Sequence, residues 1–145
     1  MKYRESEEMY LETIYLLTSK SPFVRSIDIC AELGYSRPSV SRAVGLLQER
    51  GFITVSSNGA INLTDAGKQK AQEIYQRHKV ITEVLLSLGA SEEIADENAC
   101  RIEHVITPEL FEVLKNHVQK YSVLRREKLI KSIKTLALPQ VFFVF

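Results

Sequence analysis

The sequence has almost no excess of either charge, few cysteines and no long apolar run. Lysine and arginine number 19 against 18 aspartates and glutamates, so the net charge indicates no particular partner and any basic face must be local. The two cysteines, Cys30 and Cys100, lie too far apart for a dense disulfide scaffold and are typical of a reduced compartment. No signal-like core opens the chain, and no run is long enough to span a bilayer. We expect a cytoplasmic protein without a membrane partner.

The first half of the chain has the pattern of three helices followed by a β-hairpin. Apolar periodicity predicts helices from Ser6 to about Leu17, over 27–33 with Ser26 as the cap, and from Ser36 to about Arg50. Two short strand-like runs, 53–55 and 60–63, flank Asn58-Gly59, a strong hairpin signal. This order predicts a winged helix-turn-helix, a DNA-binding domain over residues 1–70.

The start of the third helix has the composition of a recognition helix. Small hydroxyls and arginines at a helix N-terminus fit a helix that enters the major groove tip first, although an ordinary helical hairpin would also tolerate them. The wing has no Lys or Arg, so it would contact phosphates through Ser56, Ser57, Asn58 and backbone amides. The predicted DNA-binding residues are Arg25, Ser36, Arg37, Pro38, Ser39, Ser41, Arg42, Ser57 and Asn58.

The second half is predicted to be an all-helical domain over residues 71–145, reached by a long linking helix that runs from about Lys68 to Leu88. A short helix near Ser91, a second one through Cys100 to Ile106, and a third one from Thr107 to about residue 134 should follow. The apolar stripe of the last helix fits either pairing of two copies or an intrachain core. The apolar tail, residues 136–145, is expected to dock on its own fold or on a partner chain.

Residues 100–104 have the pattern of half a metal site. Cys100, Glu103 and His104 stand at i, i+3 and i+4, so a helix would present a thiol, a carboxylate and an imidazole on one face. Met9 and Glu12 share a face of the first helix in the same way. Taken alone, Met9 is core filler, Glu12 a solvated charge and His78 a core or interface histidine.

Five motifs carry a resemblance to a known family: 8–15, 36–41, 63–68, 75–78 and 99–104. Their order and spacing are similar to those of the diphtheria-toxin-repressor family of metal-dependent transcriptional regulators, which includes the manganese transport regulators. The resemblance covers residues 5 to about 120 and matches the short form without an SH3-like domain. It implies a homodimer whose winged helices bind a palindromic operator.

The resemblance also implies a metal-ligand set. The iron-responsive branch has ligands at positions that match Met9, Cys100, Glu103 and His104, and the manganese-responsive branch adds positions that match Glu12 and His78. The predicted ligands are Met9, Glu12, His78, Cys100, Glu103 and His104. Because thioether and thiol donors are soft, Fe(II) is favoured over Mn(II). The family's second metal site lacks its pattern here, since Thr82 follows His78 at +4 and Asp96 stands in the third position.

The predicted function is a metal-dependent transcriptional regulator, in which a cation clamps the winged helix onto the dimer core. The resemblance implies that this regulator is a repressor. Without the cation, Glu12, Glu103 and Asp96 are expected to repel one another. Two alternatives stay open: a manganese-responsive regulator of the same family, and a winged-helix regulator that senses no metal. An enzyme with Cys100 as nucleophile is disfavoured because Cys100 and His104 would point in parallel and no oxyanion-binding loop is evident.

Overall fold

The computed structural model describes residues 2–136, with side chains described for residues 7–132. It contains α1 (Lys2–Lys20), α2 (Ser26–Leu33), α3 (Arg37–Glu49), β1 (Ile53–Val55), β2 (Ile61–Leu63), α4 (Asp65–Ser87), α5 (Glu92–Ile102) and α6 (Pro108–Leu136). The chain is therefore mainly α-helical with one small hairpin, as predicted. Most of the predicted apolar tail, residues 137–145, lies outside the described residues.

The first three helices and the hairpin form a winged helix around one apolar core. Leu11 and Ile14 of α1 pack with residues such as Ile29 of α2 and Leu47 of α3, and all four side chains are fully buried. The strands pair antiparallel with Ile53 opposite Leu63. The segment before α2 adjoins the hairpin, because the backbone N–H of Ile61 donates to the carbonyl of Val24 at 2.8 Å.

Local capping explains where α2 and α3 begin. The side chain of Ser36 accepts a hydrogen bond from the backbone N–H of Ser39, and a proline stands in the first turn of α3. The cap of α2 is Arg25 and not Ser26 as predicted, because the N–H of Arg25 donates to the Asp28 carboxylate at 2.7 Å. Gly34, with φ of 66°, ends α2 in the left-handed conformation.

The long helix α4 links two cores. Ala71 and Ile74 belong to the winged-helix core, whereas Ile81 packs in a second core with Ala99 of α5 and Phe111 of α6. Helix α4 packs against α1, α5 and α6, so it forms the spine along which the two halves meet. The C-terminal half is all-helical in the described residues, as expected.

Two predictions about the region of α5 were wrong. A single helix spans Glu92–Ile102, where a short helix and a second helix to Ile106 were expected, because Ser91 caps the whole segment and nothing interrupts it. The helix also ends earlier, with Glu103 as its C-cap and residues 103–105 in a turn. None of the described helices has the length and apolar character required to cross a bilayer.

Candidate metal centre

Carboxylates and imidazoles from three helices converge where the winged helix meets the second core. Helix α1 contributes Glu8 and Glu12, α4 contributes His78, and the end of α5 contributes Glu103 and His104. Glu12 is 9% exposed and Glu103 only 1%. Burial of two carboxylates so close together is costly unless protons or a cation compensate their charge.

Three of the predicted ligands form one compact group. Glu12, Glu103 and His104 each offer an oxygen or nitrogen atom, and these atoms lie within 4.8 Å of one another. The early end of α5 does not separate Glu103 from His104, because the C-cap keeps helical dihedral angles and its N–H donates to the carbonyl of Ala99. The group joins a residue of the DNA-binding half to two residues beyond the linking helix.

His78, which its sequence context alone indicates as a core or interface histidine, has a close partner at each ring nitrogen. Its Nδ1 lies 2.8 Å from Oε2 of Glu103, and its Nε2 lies 2.8 Å from Oδ1 of Asp96. The imidazole therefore stands between two carboxylates. Glu103 and Asp96, which were expected to repel each other, contact different nitrogens of this ring. Thr82, in the position of a missing second-site ligand, donates its hydroxyl to the His78 carbonyl.

The two sulfur residues lie at the edge of the group. Met9 lines a cleft of about 980 Å³ together with His104 and Tyr35, and the Tyr35 hydroxyl lies 3.9 Å from its sulfur. Cys100 is exposed and contributes to the raised pKa of the neighbouring His104 imidazole. Neither belongs to the compact group of Glu12, Glu103 and His104, so the structure brings all six predicted residues to one region but only three of them into that group.

Charge balance in the group follows from burial and from these pairings. Burial, together with the neighbouring Glu103 carboxylate, raises the pKa of Glu12 to about 7. The hydrogen bond to Glu103 raises the pKa of His78 to about 9, with Asp96 adding to the effect. Burial opposes protonation of His104, but Cys100, Glu103 and Glu8 outweigh it and raise its pKa to about 11. Protonated imidazoles thus neutralise the buried carboxylates.

Glu103 holds its charge because of these imidazoles. Burial acts to raise the pKa of its carboxyl group, but the neighbouring His104 and His78 imidazoles keep that pKa below its usual range. Nε2 of His104 and Oε1 of Glu103 lie 3.2 Å apart, yet their alignment leaves both buried atoms without a hydrogen-bond partner in the described part of the chain. Two unpaired ligating atoms beside the Glu12 carboxylate fit a divalent cation.

Sequence reasoning missed Glu8. Its Oε2 lies 3.1 Å from Nδ1 of His104, and its Oε1 lies 3.3 Å from the Lys70 ammonium. The i, i+4 spacing of Glu8 and Glu12 on α1 was a usable signal, because it places both carboxylates on one face of the helix.

The predicted DNA-binding residues surround the start of α3 and the wing. Arg25, Arg37 and Ser41 line one shallow groove of about 460 Å³, although Arg25 is distant in sequence. Pro38, Arg42, Ser57 and Asn58 are exposed. Ser36 has a structural task as the α3 cap and also hydrogen-bonds with Ser39, while the Asn58 side chain accepts from the N–H of Ala60 and shapes the wing turn.

The fold and the site together define a class: a winged-helix protein with a candidate metal centre between its DNA-binding half and its helical half. Comparison with protein families agrees with this architecture. The N-terminal DNA binding domain of iron dependent repressors matches residues 2–61, and the iron dependent repressor metal binding and dimerisation domain matches residues 64–132. The chain therefore belongs to the iron-dependent repressor family of metal-dependent transcriptional regulators, as its motifs predicted.

Three individual proteins illustrate this similarity. The transcriptional regulator MntR of Escherichia coli O6:H1 is 33% identical over 118 residues, which cover 81% of this chain and 76% of that protein. The diphtheria toxin repressor of Corynebacterium diphtheriae is 30% identical over 107 residues, which cover 73% of this chain but 47% of that protein. The structure of the manganese regulator SloR superposes with a TM-score of 0.70 at 24% identity and covers 78% of this chain and 53% of that one. The chain thus spans about half the length of the last two proteins.

Proposed function

We propose that this protein is a homodimeric repressor that binds operator DNA when a divalent cation joins Glu12 to Glu103 and His104. The observation that carries the proposal is the position of this group. Glu12 belongs to α1 of the winged helix, whereas Glu103 and His104 lie beyond α4 in the other half. A cation held by all three would restrain how the winged helix sits on the second core.

That restraint would couple metal binding to DNA binding. A dimer reads two half-sites at once only if its recognition helices are separated by about one DNA turn, ~34 Å. A bound metal would fix the winged helix on the second core and so keep the two recognition helices at this distance. Without metal, the winged helix would move and the distance would vary. The coupling is reciprocal, so operator DNA should tighten metal binding by the same factor.

The full ligand set that we propose is Met9, Glu12, His78, Cys100, Glu103 and His104. Fe(II) is the favoured metal because Met9 and Cys100 would add soft sulfur donors to the carboxylates and imidazoles. Mn(II) is a second candidate, which the compact group itself favours: two carboxylates and one imidazole are hard donors, and both sulfurs lie outside that group. A regulator that senses no metal would leave Nε2 of His104 and Oε1 of Glu103 without a hydrogen-bond partner among the described residues.

The DNA face that we propose consists of the α3 start and the wing. Arg37 and Arg42 would contact bases or phosphates, and Arg25 would contact a phosphate from the edge of the groove that it shares with Arg37. Ser39, Ser41 and Ser57 offer hydroxyls, with Pro38 beside them. Ser36 and Asn58 would contribute mainly indirectly, because the Ser36 side chain caps α3 and the Asn58 side chain stabilises the wing turn.

The homodimer is supported by the surface of α6. Leu110, Val113, Tyr121 and Leu124 are spaced so that they fall along one side of this helix, and each of them is about half exposed or more. Such a stripe is expected to be covered by a second copy of the chain, since large exposed apolar patches are uncommon on monomeric proteins.

The central test measures DNA affinity with and without metal. A duplex selected from a random-sequence pool should bind the wild-type protein at least ten-fold more tightly with Mn(II), or with Fe(II) under anaerobic conditions, than with a chelator at the same salt concentration. Glu12→Gln should reduce this metal effect, whereas Glu73→Gln on the exposed side of α4 should not. Equal affinity in metal and in chelator would refute the proposed function.

The metal preference has its own test. Affinities for Mn(II), Fe(II) and Co(II) should be measured for the wild type and for Met9→Asp and Cys100→Glu, which replace sulfur with oxygen donors. If the sulfurs are ligands, each variant should shift the preference toward Mn(II). An unchanged ranking would assign the metal to the carboxylate and imidazole group alone and would favour Mn(II).

A further inference from the structure

His104 is fixed from both sides, and the side away from Glu103 is occupied by a residue outside the proposed ligand set. Nδ1 of His104 lies 3.1 Å from Oε2 of Glu8, and both side chains are largely buried, with 9% and 13% exposed. The other oxygen of Glu8, Oε1, lies 3.3 Å from the Lys70 ammonium of α4. One carboxylate of α1 therefore contacts both α4 and the turn after α5.

The two ring nitrogens of a histidine have distinct tasks when one of them binds a metal. The nitrogen that keeps its proton must donate it to an acceptor, and that hydrogen bond decides which nitrogen is left to bind the metal. Here Glu8 is the acceptor at Nδ1. The opposite nitrogen, Nε2, faces Oε1 of Glu103 at 3.2 Å and lacks a hydrogen-bond partner in the described residues.

We propose that Glu8 is a positioning residue, which holds the proton of His104 on Nδ1 and so presents Nε2 to the cation. Lys70 orients the Glu8 carboxylate by pairing with its second oxygen. This inference rests on the proposed metal function and adds a residue to it. It also gives α1 a second connection to the centre: Glu12 would contact the cation itself, and Glu8 would hold the ring of a ligand.

The geometry distinguishes Glu8 from a ligand. Both of its oxygens already have partners, and it contacts the ring nitrogen of His104 that points away from Glu103. It is also absent from the compact group whose ligating atoms lie within 4.8 Å of one another. The simpler alternative is an ion pair that only stabilises the fold.

Three variants separate these alternatives. Glu8→Ala removes the acceptor and the charge, Glu8→Gln removes the charge but keeps a carbonyl acceptor for Nδ1–H, and Glu7→Gln is the matched control. Glu7 adjoins Glu8 on the same helix but pairs with Arg50 at 2.7 Å, within the winged helix. Each protein should first be compared by thermal unfolding in chelator.

Two readouts are needed, neither of which involves DNA. Zn(II) affinity, measured by competition with a chromophoric chelator, should fall about 10- to 100-fold in Glu8→Ala, less in Glu8→Gln, and not at all in Glu7→Gln. Nitrogen-15 spectra of the Zn(II)-loaded protein should show a slowly exchanging N–H on Nδ1 of His104 in the wild type and in Glu8→Gln. That signal should be lost in Glu8→Ala.

Several results would overturn the inference. If Glu8→Ala binds Zn(II) as tightly as the wild type, or keeps the protected Nδ1–H, Glu8 does not position the ring. Equal damage in Glu8→Gln and Glu8→Ala would show that charge is what matters, and not the acceptor. A wild type that binds no divalent metal would overturn the proposed function together with this inference, whereas wild-type binding with unaffected variants would overturn this inference alone.

Discussion

Replacing Glu12 with glutamine should change how the stability of the protein depends on pH. The Glu12 carboxyl is buried beside Glu103, and its pKa rises from an ordinary value of 4.5 to about 7. Since the unfolded chain ionises this group first, folding loses stability as the pH rises from the unfolded pKa through the folded one. The group's contribution is fully present below the unfolded pKa and is absent above the folded pKa.

The size of the effect follows from the shift. A rise of this size corresponds to about 3 kcal/mol of differential stability, at about 1.4 kcal/mol for each pKa unit. Most of that, about 2 to 3 kcal/mol, should be lost between about pH 5 and pH 8 in the wild type. Glutamine at position 12 cannot ionise, so the unfolding free energy of the Glu12→Gln variant should fall less over the same pH range. His78 and His104, whose pKa values are raised, should continue to lower the stability of both proteins at higher pH.

Urea unfolding in chelator at several pH values measures this difference. The wild type and Glu12→Gln should diverge progressively from about pH 5 to pH 8, and Glu73→Gln should follow the wild type. Addition of Mn(II) should stabilise the wild type much more than Glu12→Gln, because the cation neutralises the buried negative charge of the ionised Glu12 carboxylate. Parallel curves of unfolding free energy against pH for the wild type and Glu12→Gln would refute the conclusion that Glu12 is a buried acid with a raised pKa.

Three further predictions address metal binding, folding and DNA binding. Binding of Mn(II) near pH 7 should release about two and a half protons, since His78 and His104 are protonated there and Glu12 is about half protonated. Calorimetry in two buffers of different ionisation enthalpy measures the number, and a buffer-independent enthalpy would contradict it. Gly67→Ala should destabilise the protein by about 1–3 kcal/mol, because a Cβ would lie 1.9 Å from the Phe52 carbonyl oxygen, whereas Gly45→Ala meets open space and should be neutral or stabilising in urea unfolding. Arg37→Ala should weaken DNA binding and, if it contacts a phosphate, lower the salt slope by about one unit; an unchanged affinity would remove it from the DNA face.

The sequence by itself determined the elements of this protein. The apolar periodicity of the helices, the Ser36 cap of α3 and the Asn58-Gly59 turn of the wing are local signals, and the structure confirms the winged helix and the helical second half. The candidate ligands were also visible as residue types at helical spacing around Cys100 and Glu103. Such features depend on neighbours within a few residues, so they can be read along the chain.

Only the tertiary structure decided which of these residues meet. The packing of α1 and α5 on α4 buries Glu12 beside Glu103, sets His78 between two carboxylates, and leaves Met9 and Cys100 at the edge. It also placed Glu8 beside His104, which lies 96 residues further along the chain, a separation that no spacing rule reaches. Burial and charge balance depend on how helices from distant parts of the chain pack together, and the protonation of this centre follows from that packing.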